Sequence, residues 1–187
     1  MKALFSRILA LSVFAFAFTL IAGAQEAGKG VTITIDNLKS VTPAQWKEEP
    51  PSNKMRFAQF VLPKVAGDEK DADIVIFKGL GGSAKANIDR WKEQFSTNDG
   101  GKLGEKDYKI TEIKVAGKPA LYLDVKGAYK YKAAPFDPNS KTVLMENSRL
   151  LAAHVEANDI YHIKLTGPAK TVEKYREGFE KWLADFK

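Results

Sequence analysis

The chain has two histidines, His154 and His162, and no cysteine. Imidazole changes charge near neutral pH and is a common metal ligand, so the relation between the two rings decides what chemistry they can do. They flank Asn158-Asp159, a turn signal between two apolar alternating runs, Asn147–Glu156 and Ile160–Thr166. A loop of Asn158-Asp159 alone pairs His154 with Ile163 and puts the histidines on opposite faces. A loop of Ala157–Asp159 pairs Glu156 with Ile160 and His154 with His162. It also aligns Val155 with Tyr161, Ala153 with Ile163 and Leu151 with Leu165, gathering the apolar residues on one face. Burial pins register, so this second register is favoured. The histidine Cβ atoms then lie roughly 5 Å apart. Such a pair can take a metal weakly or sense pH, but spacing identifies no third ligand. The competing reading is two polar residues on the outer face. Glu156 beside them suits acid–base work only if a cleft reaches it.

Other candidates are weaker. Gly79-Leu80-Gly81-Gly82-Ser83 joins a strand to a helix start, where free N–H groups attract anions. Gly81, Gly82 and Ser83 are therefore possible ligand contacts. No Lys-Ser/Thr pair follows and the dinucleotide-binding spacing is absent, so a tight turn with an N-cap explains the segment equally well. Asn98, Asp99, Glu105 and Asp107 share a Gly-containing loop, but their spacing matches no calcium-binding pattern. Ser140 and Ser148 lack a nucleophile-elbow context. Trp91 and Trp182 fall on helix stripes and read as core. Trp46, in a Pro-rich segment, and Phe136, in a Pro-containing excursion, are the aromatic residues most suited to border a ligand cleft.

The elements that must position these residues follow from periodicity. Val31–Ile35, Met55–Leu62 and Ala72–Phe77 read as strands. In the second, Met55, Phe57 and Gln59 share one face, and Arg56, Ala58 and Phe60 the other. The third is almost continuously apolar (Ile74, Val75, Ile76), so it reads as central and covered on both faces. Ala84, Ile88, Trp91 and Phe95 form one stripe of a helix capped by Ser83. Tyr108–Val115 and Pro119–Val125 flank a Gly turn, with Tyr129 and Tyr131 extending the second strand. The last hairpin follows the excursion from Lys132 to Lys141. A final helix carries Val172, Tyr175, Phe179, Trp182 and Phe186 on one side. The fold class is α+β: a mostly antiparallel sheet of about six to seven strands covered by two helices.

The N-terminus supplies an address. Lys2 and Arg7 precede an uncharged apolar run, Ile8–Ile21, and Ala22-Gly23-Ala24 is a small-x-small cleavage signal. Residues 1–24 therefore read as a signal peptide and 25–187 as a single domain, with no stable membrane anchor after cleavage. The expected location is periplasmic or secreted. Without Lys2 and Arg7 the chain keeps 27 basic residues against 23 acidic ones. Only Arg56, Arg90, Arg149 and Arg176 of these are arginines, and scattered lysines among acids read as a solvated surface rather than a nucleic-acid face. Absence of cysteine excludes disulfides, thiolate metal sites and a cysteine nucleophile.

The segments "PAQWKEEPPSNKMRFAQFVLP", "DADIVIFKGLGG" and "NIDRWKEQF" resemble a group of secreted bacterial proteins of unknown function. The closing "YHIKLTGPAKTVEKYREGFEKWLADF" is similar to the end of PsbP-like domains, where a strand ends in Gly-Pro before a long aromatic-bearing helix. The resemblance implies an α-β-α sandwich and carries no catalytic residue across. The favoured expectation is an exported, non-enzymatic binding or accessory domain of the bacterial envelope. No cofactor is expected, and the partner would be an envelope protein or a small ligand. The alternative is an envelope enzyme, metal- or acid–base-dependent, centred on His154 and His162.

Overall fold

The computed structural model describes residues 29–134 and 137–187. The proposed signal peptide and Phe136 lie outside the described residues. The strands are β1 (Thr32–Ile35), β2 (Leu38–Val41), β3 (Lys47–Glu49), β4 (Arg56–Leu62), β5 (Ala72–Lys78), β6 (Phe95–Ser96), β7 (Tyr108–Val115), β8 (Lys118–Lys132), β9 (Thr142–Glu156) and β10 (Ile160–Pro168); the helices are α1 (Ala84–Glu93) and α2 (Ala169–Ala184). β1 and β2 form a separate hairpin. The rest make an eight-stranded sheet in the order β3-β4-β5-β10-β9-β8-β6, with β7 also on β8. All its pairs are antiparallel. Helices cover both faces, the sandwich that the resemblance implied.

Strand alternation divides the core. Ile74, Ile76, Leu151, Ala153, Tyr161, Ile163 and Leu165 point to the α2 side, against Val172, Tyr175, Phe179, Trp182 and Phe186. Leu123, Val125, Leu150 and Ala152 point to the α1 side, against Ile88 and Trp91. Burial of both faces explains the unbroken apolar run in β5. The start of α2 is satisfied from the β4–β5 turn: Asp68 Oδ2 accepts from the Thr171 amide at 2.9 Å and its hydroxyl at 2.6 Å. At the other end Ser40 Oγ donates to the Trp182 carbonyl at 2.9 Å. Asp36, at φ 52°, ties the β1–β2 turn to the β9–β10 turn. Its carboxylate accepts from the amides of Asn158 and Asp159 and from the Tyr161 hydroxyl, at 2.8–2.9 Å.

The structure corrects several expectations. Strands β2, β3 and β6 are additional, and β9 begins at Thr142 rather than Asn147. Phe95 is not on the helix. α1 ends at Gln94, and Phe95 pairs with Tyr129 while still burying its ring. Arg56 does not share a face with Ala58. A bulge at Phe57 shifts the register, so Arg56 opposes Phe77 while Ala58 opposes Ile76. An extra residue reverses the alternation, and Arg56 joins Gln59 on the α1 side. A second register shift follows Gly127, where β9 turns through Asn147 at φ 50°. That corner is pinned by Asn98, whose side chain exchanges two hydrogen bonds with Asn147.

Candidate functional site

The last hairpin has the favoured register, with His162 opposite His154 and Ile160 opposite Glu156. The histidines do not lie on an open outer face. They are 1–2% exposed, because that face lies under α1, and Trp91 packs edge-on against His162 at 5.0 Å. His154 Nε2 is 3.2 Å from Glu156 Oε1, and His154 Nδ1 is 3.1 Å from His162 Nε2. One proton arrangement that satisfies these contacts is the following. Glu156 accepts from His154 Nε2–H, and His154 Nδ1 accepts from His162 Nε2–H. Burial, then the neighbouring His154, Arg90 and Lys164, push His162 down to about 4. No group of three His, Cys, Asp or Glu poised for a metal occurs among the described residues.

The remaining sequence candidates separate. Trp46 borders no cleft: it is 4% exposed and packs among Phe60, Phe179 and Trp182 on the α2 side. Ser83 Oγ accepts from the Ala86 amide at 3.2 Å, the expected N-cap. Asn87 Nδ2 braces the same turn through the carbonyls of Gly81, Gly82 and Ser83 at 3.0–3.4 Å. The acidic loop makes local bonds, apart from Asn98, which reaches Asn147. Asp99 Oδ1 accepts from the Thr97 hydroxyl and the Gly101 amide, and Asp107 from the Gly104 amide.

A concavity absent from the sequence reading lies on the α1 side of the sheet. α1 packs on β8, β9 and β6, and its Trp91 covers His162 of β10, leaving uncovered the β4–β5 side of the face and the end of β10 beyond Lys164. There a groove of about 370 Å³ is walled by Phe77, Tyr129, Tyr131, Val75 and Met145. Arg56, Lys70, Lys164, Asp71 and Asp73 supply its charges. Size and mixed lining match a small-molecule site. The register lays out this part of the sheet in rows, of which Arg56, Phe77, Val75, Lys164, Asp73 and Thr166 line the groove. Arg56, Phe77 and His162 lie abreast, then Gln59, Val75 and Lys164, then Val61, Asp73 and Thr166. Arg56 and Lys164 therefore lie towards one end and Asp73 towards the other, where Asp71 and Lys70 join it.

Lys164 Nζ sits 5.7 Å from the Trp91 ring centroid and 3.3 Å from Gln94 Oε1. Burial, with Arg90 and Arg56 nearby, pulls its pKa down to about 8. Arg56 Nη1 donates to Gln59 Oε1 at 2.7 Å, while its Nε is buried with no partner. Burial raises the Asp73 carboxyl. None of these residues forms a local motif. Arg56 reaches the groove through a bulge, and Tyr129, Tyr131 and Met145 through the twist beyond Gly127. The one readable signal was Lys164, a charge at an interior position of a strand with covered neighbours.

No family model matches this sequence, and no curated protein matches it. Solved structures share its arrangement. Cyanobacterial PsbP from Synechocystis is 10% identical, with a TM-score of 0.48 over 88% of this chain and 95% of that one. LpqN, involved in cell envelope biogenesis of Mycobacterium tuberculosis, is 9% identical, with a TM-score of 0.47 over 83% and 82%. A Pseudomonas aeruginosa protein of unknown function is 12% identical, with a TM-score of 0.41 over 82% and 93%. These are likenesses of architecture. No helix among the described residues is long and apolar enough to cross a membrane.

Proposed function

We propose that this is an exported, non-enzymatic binding domain of the bacterial envelope, and that it holds a small ligand with an apolar body in the α1-side groove. The observation that carries this reading is the groove itself: aromatic and aliphatic walls with a few convergent polar groups, left open because α1 covers only part of the face. The enzymatic alternative requires substrate to reach His154 or His162. Both rings are shut beneath α1 and hydrogen-bonded to each other, so the groove is preferred.

Octanol, an uncharged amphiphile, tests the reading by calorimetric titration. Thr166 lines the groove floor and is half-buried, so Thr166→Trp fills the space without touching the core. Saturable octanol binding that Thr166→Trp abolishes supports the site. Absence of any amphiphile binding, or binding indifferent to that substitution in a folded variant, overturns it.

A further inference from the structure

We propose that the ligand carries an anionic head group, held between Arg56 and Lys164 over the β5 strand. This rests on the groove reading above and names the chemistry of its occupant.

The two cations stand on β4 and β10, the strands flanking β5, in successive rows, so their backbones are roughly 12 Å apart at the usual strand spacing and rise. Both side chains line the groove, with Val75 and Phe77 between them. Neither has a carboxylate within ion-pair distance among the described residues. The opposite face shows how this fold treats a cation with a structural task. Arg149, which is buried, is met by Asp124 through two hydrogen bonds at 2.6–2.8 Å and by Glu173 from α2. At the groove the corresponding acids are missing. Asp73 lies a row further along, and Asp71 Oδ1 is engaged by the Lys64 amide at 2.9 Å. Arg56 also keeps a buried Nε–H without an acceptor, a donor that costs free energy until something satisfies it. Two half-buried cations that line one groove without carboxylate partners repel, and a single anion between them relieves both. A guanidinium fork and an ammonium suit a carboxylate, sulfate or phosphate head alike.

The aromatic and aliphatic walls then take the body of the ligand. The groups facing Lys164 are Arg56 on β4, Asp73 on β5, Tyr129 on β8, Arg90 and Gln94 on α1, and His162 on its own strand. Burial raises the Tyr129 phenol, and His162 stays neutral above pH 6. Lys164 is the group whose pKa falls to about 8, inside the range from pH 7 to 9. An anion binds its charged form, so ligand uptake draws a proton onto Lys164, and the charged fraction drops about tenfold between pH 7 and 9.

Calorimetry with octanoate, octyl sulfate and octanol at pH 7 and 9 tests this on the whole mature protein. The anions are expected to bind at least about tenfold tighter than octanol at pH 7, with that preference falling several-fold by pH 9. Lys164→Gln and Arg56→Gln should each erode the preference while octanol still binds, which also shows the groove intact. Asp73→Asn should leave the pH dependence in place. A preference of octanoate over octyl sulfate, or the reverse, identifies the head group. Equal binding of octanol and both anions overturns the anion assignment and leaves the groove reading standing. Anion preference that survives both substitutions overturns it too. No binding of any of the three overturns both.

Discussion

The buried histidine pair makes this protein acid-sensitive in a calculable way. His162 is pushed from 6.5 to about 4 by burial and neighbouring cations. The unfolded chain takes up a proton near 6.5, the folded chain only near 4. Stability is therefore fully present above pH 7 and is lost as pH falls towards 4. At pH 5 the unfolded state carries the proton and the native state does not, which costs about 2 kcal/mol relative to pH 7. Lys164, lowered from 10.5 to about 8, adds stability only as pH rises between those values and is nearly flat below pH 7, so it does not overlap. The informative variant is His162→Gln. Its side-chain amide can still donate to His154 Nδ1, yet it cannot titrate. Urea unfolding at pH 5, 6, 7 and 8 should show the parent losing about 2 kcal/mol from pH 7 to 5. The variant should lose less than half of that. Parallel stability curves for the two proteins would mean that the ring is solvated in the native state, and the buried relay would be wrong.

Three further outcomes are expected. Trp182 is 1% exposed and packs against Trp46, Phe179 and Phe186, so Trp182→Ala should cost about 3–5 kcal/mol in urea unfolding; a loss under about 0.5 kcal/mol would place the stripe outside the core. Gly127, at φ 151°, would bring an alanine Cβ within 2.1 Å of the Ser96 carbonyl oxygen, so Gly127→Ala should cost at least about 2 kcal/mol and loosen β6 from β8, read as faster amide exchange at Ser96. Intact-mass measurement of the exported protein should show a chain beginning at Gln25, and a product retaining Met1 would refute both processing and export.

The hairpin register was legible because Leu151, Ala153 and Val155 have to meet Leu165, Ile163 and Tyr161, and a slip by one residue would turn them all to the wrong side. The same logic made α2 legible through its aromatic stripe. What periodicity does not carry is which face a short helix will cover. His154 and His162 share their face with Lys164, and that charge makes the face read as solvent. In the fold Trp91 of α1 lies over it. Trp46 misled for the opposite reason. Prolines on either side signal a loop, but loops can also return an aromatic ring to the core, as this one does against Phe60 and Trp182.

The groove depends on two features that no local pattern announces. One is the unequal length of the helices: α2 runs 16 residues and α1 only 10, so the sheet face under α1 is covered over part of its width. The other is a pair of irregularities in the strands. Without the extra residue at Phe57, strict alternation would send Arg56 to the α2 side, into the apolar cluster around Ile76 and Phe60, where a guanidinium could not stay unpaired. Without the register shift after Gly127, Ser148 and Met145 would point to opposite faces; instead both line the groove. A bulge costs ladder hydrogen bonds and holds only where surrounding contacts enforce it. Here the reciprocal Asn98–Asn147 bonds enforce one, and the Arg56–Gln59 bond together with Phe57 packing edge-on against Tyr161 enforces the other. Both irregularities bring side chains to the same groove, which is why the binding reading centres there rather than on the regular, closed face beneath α2.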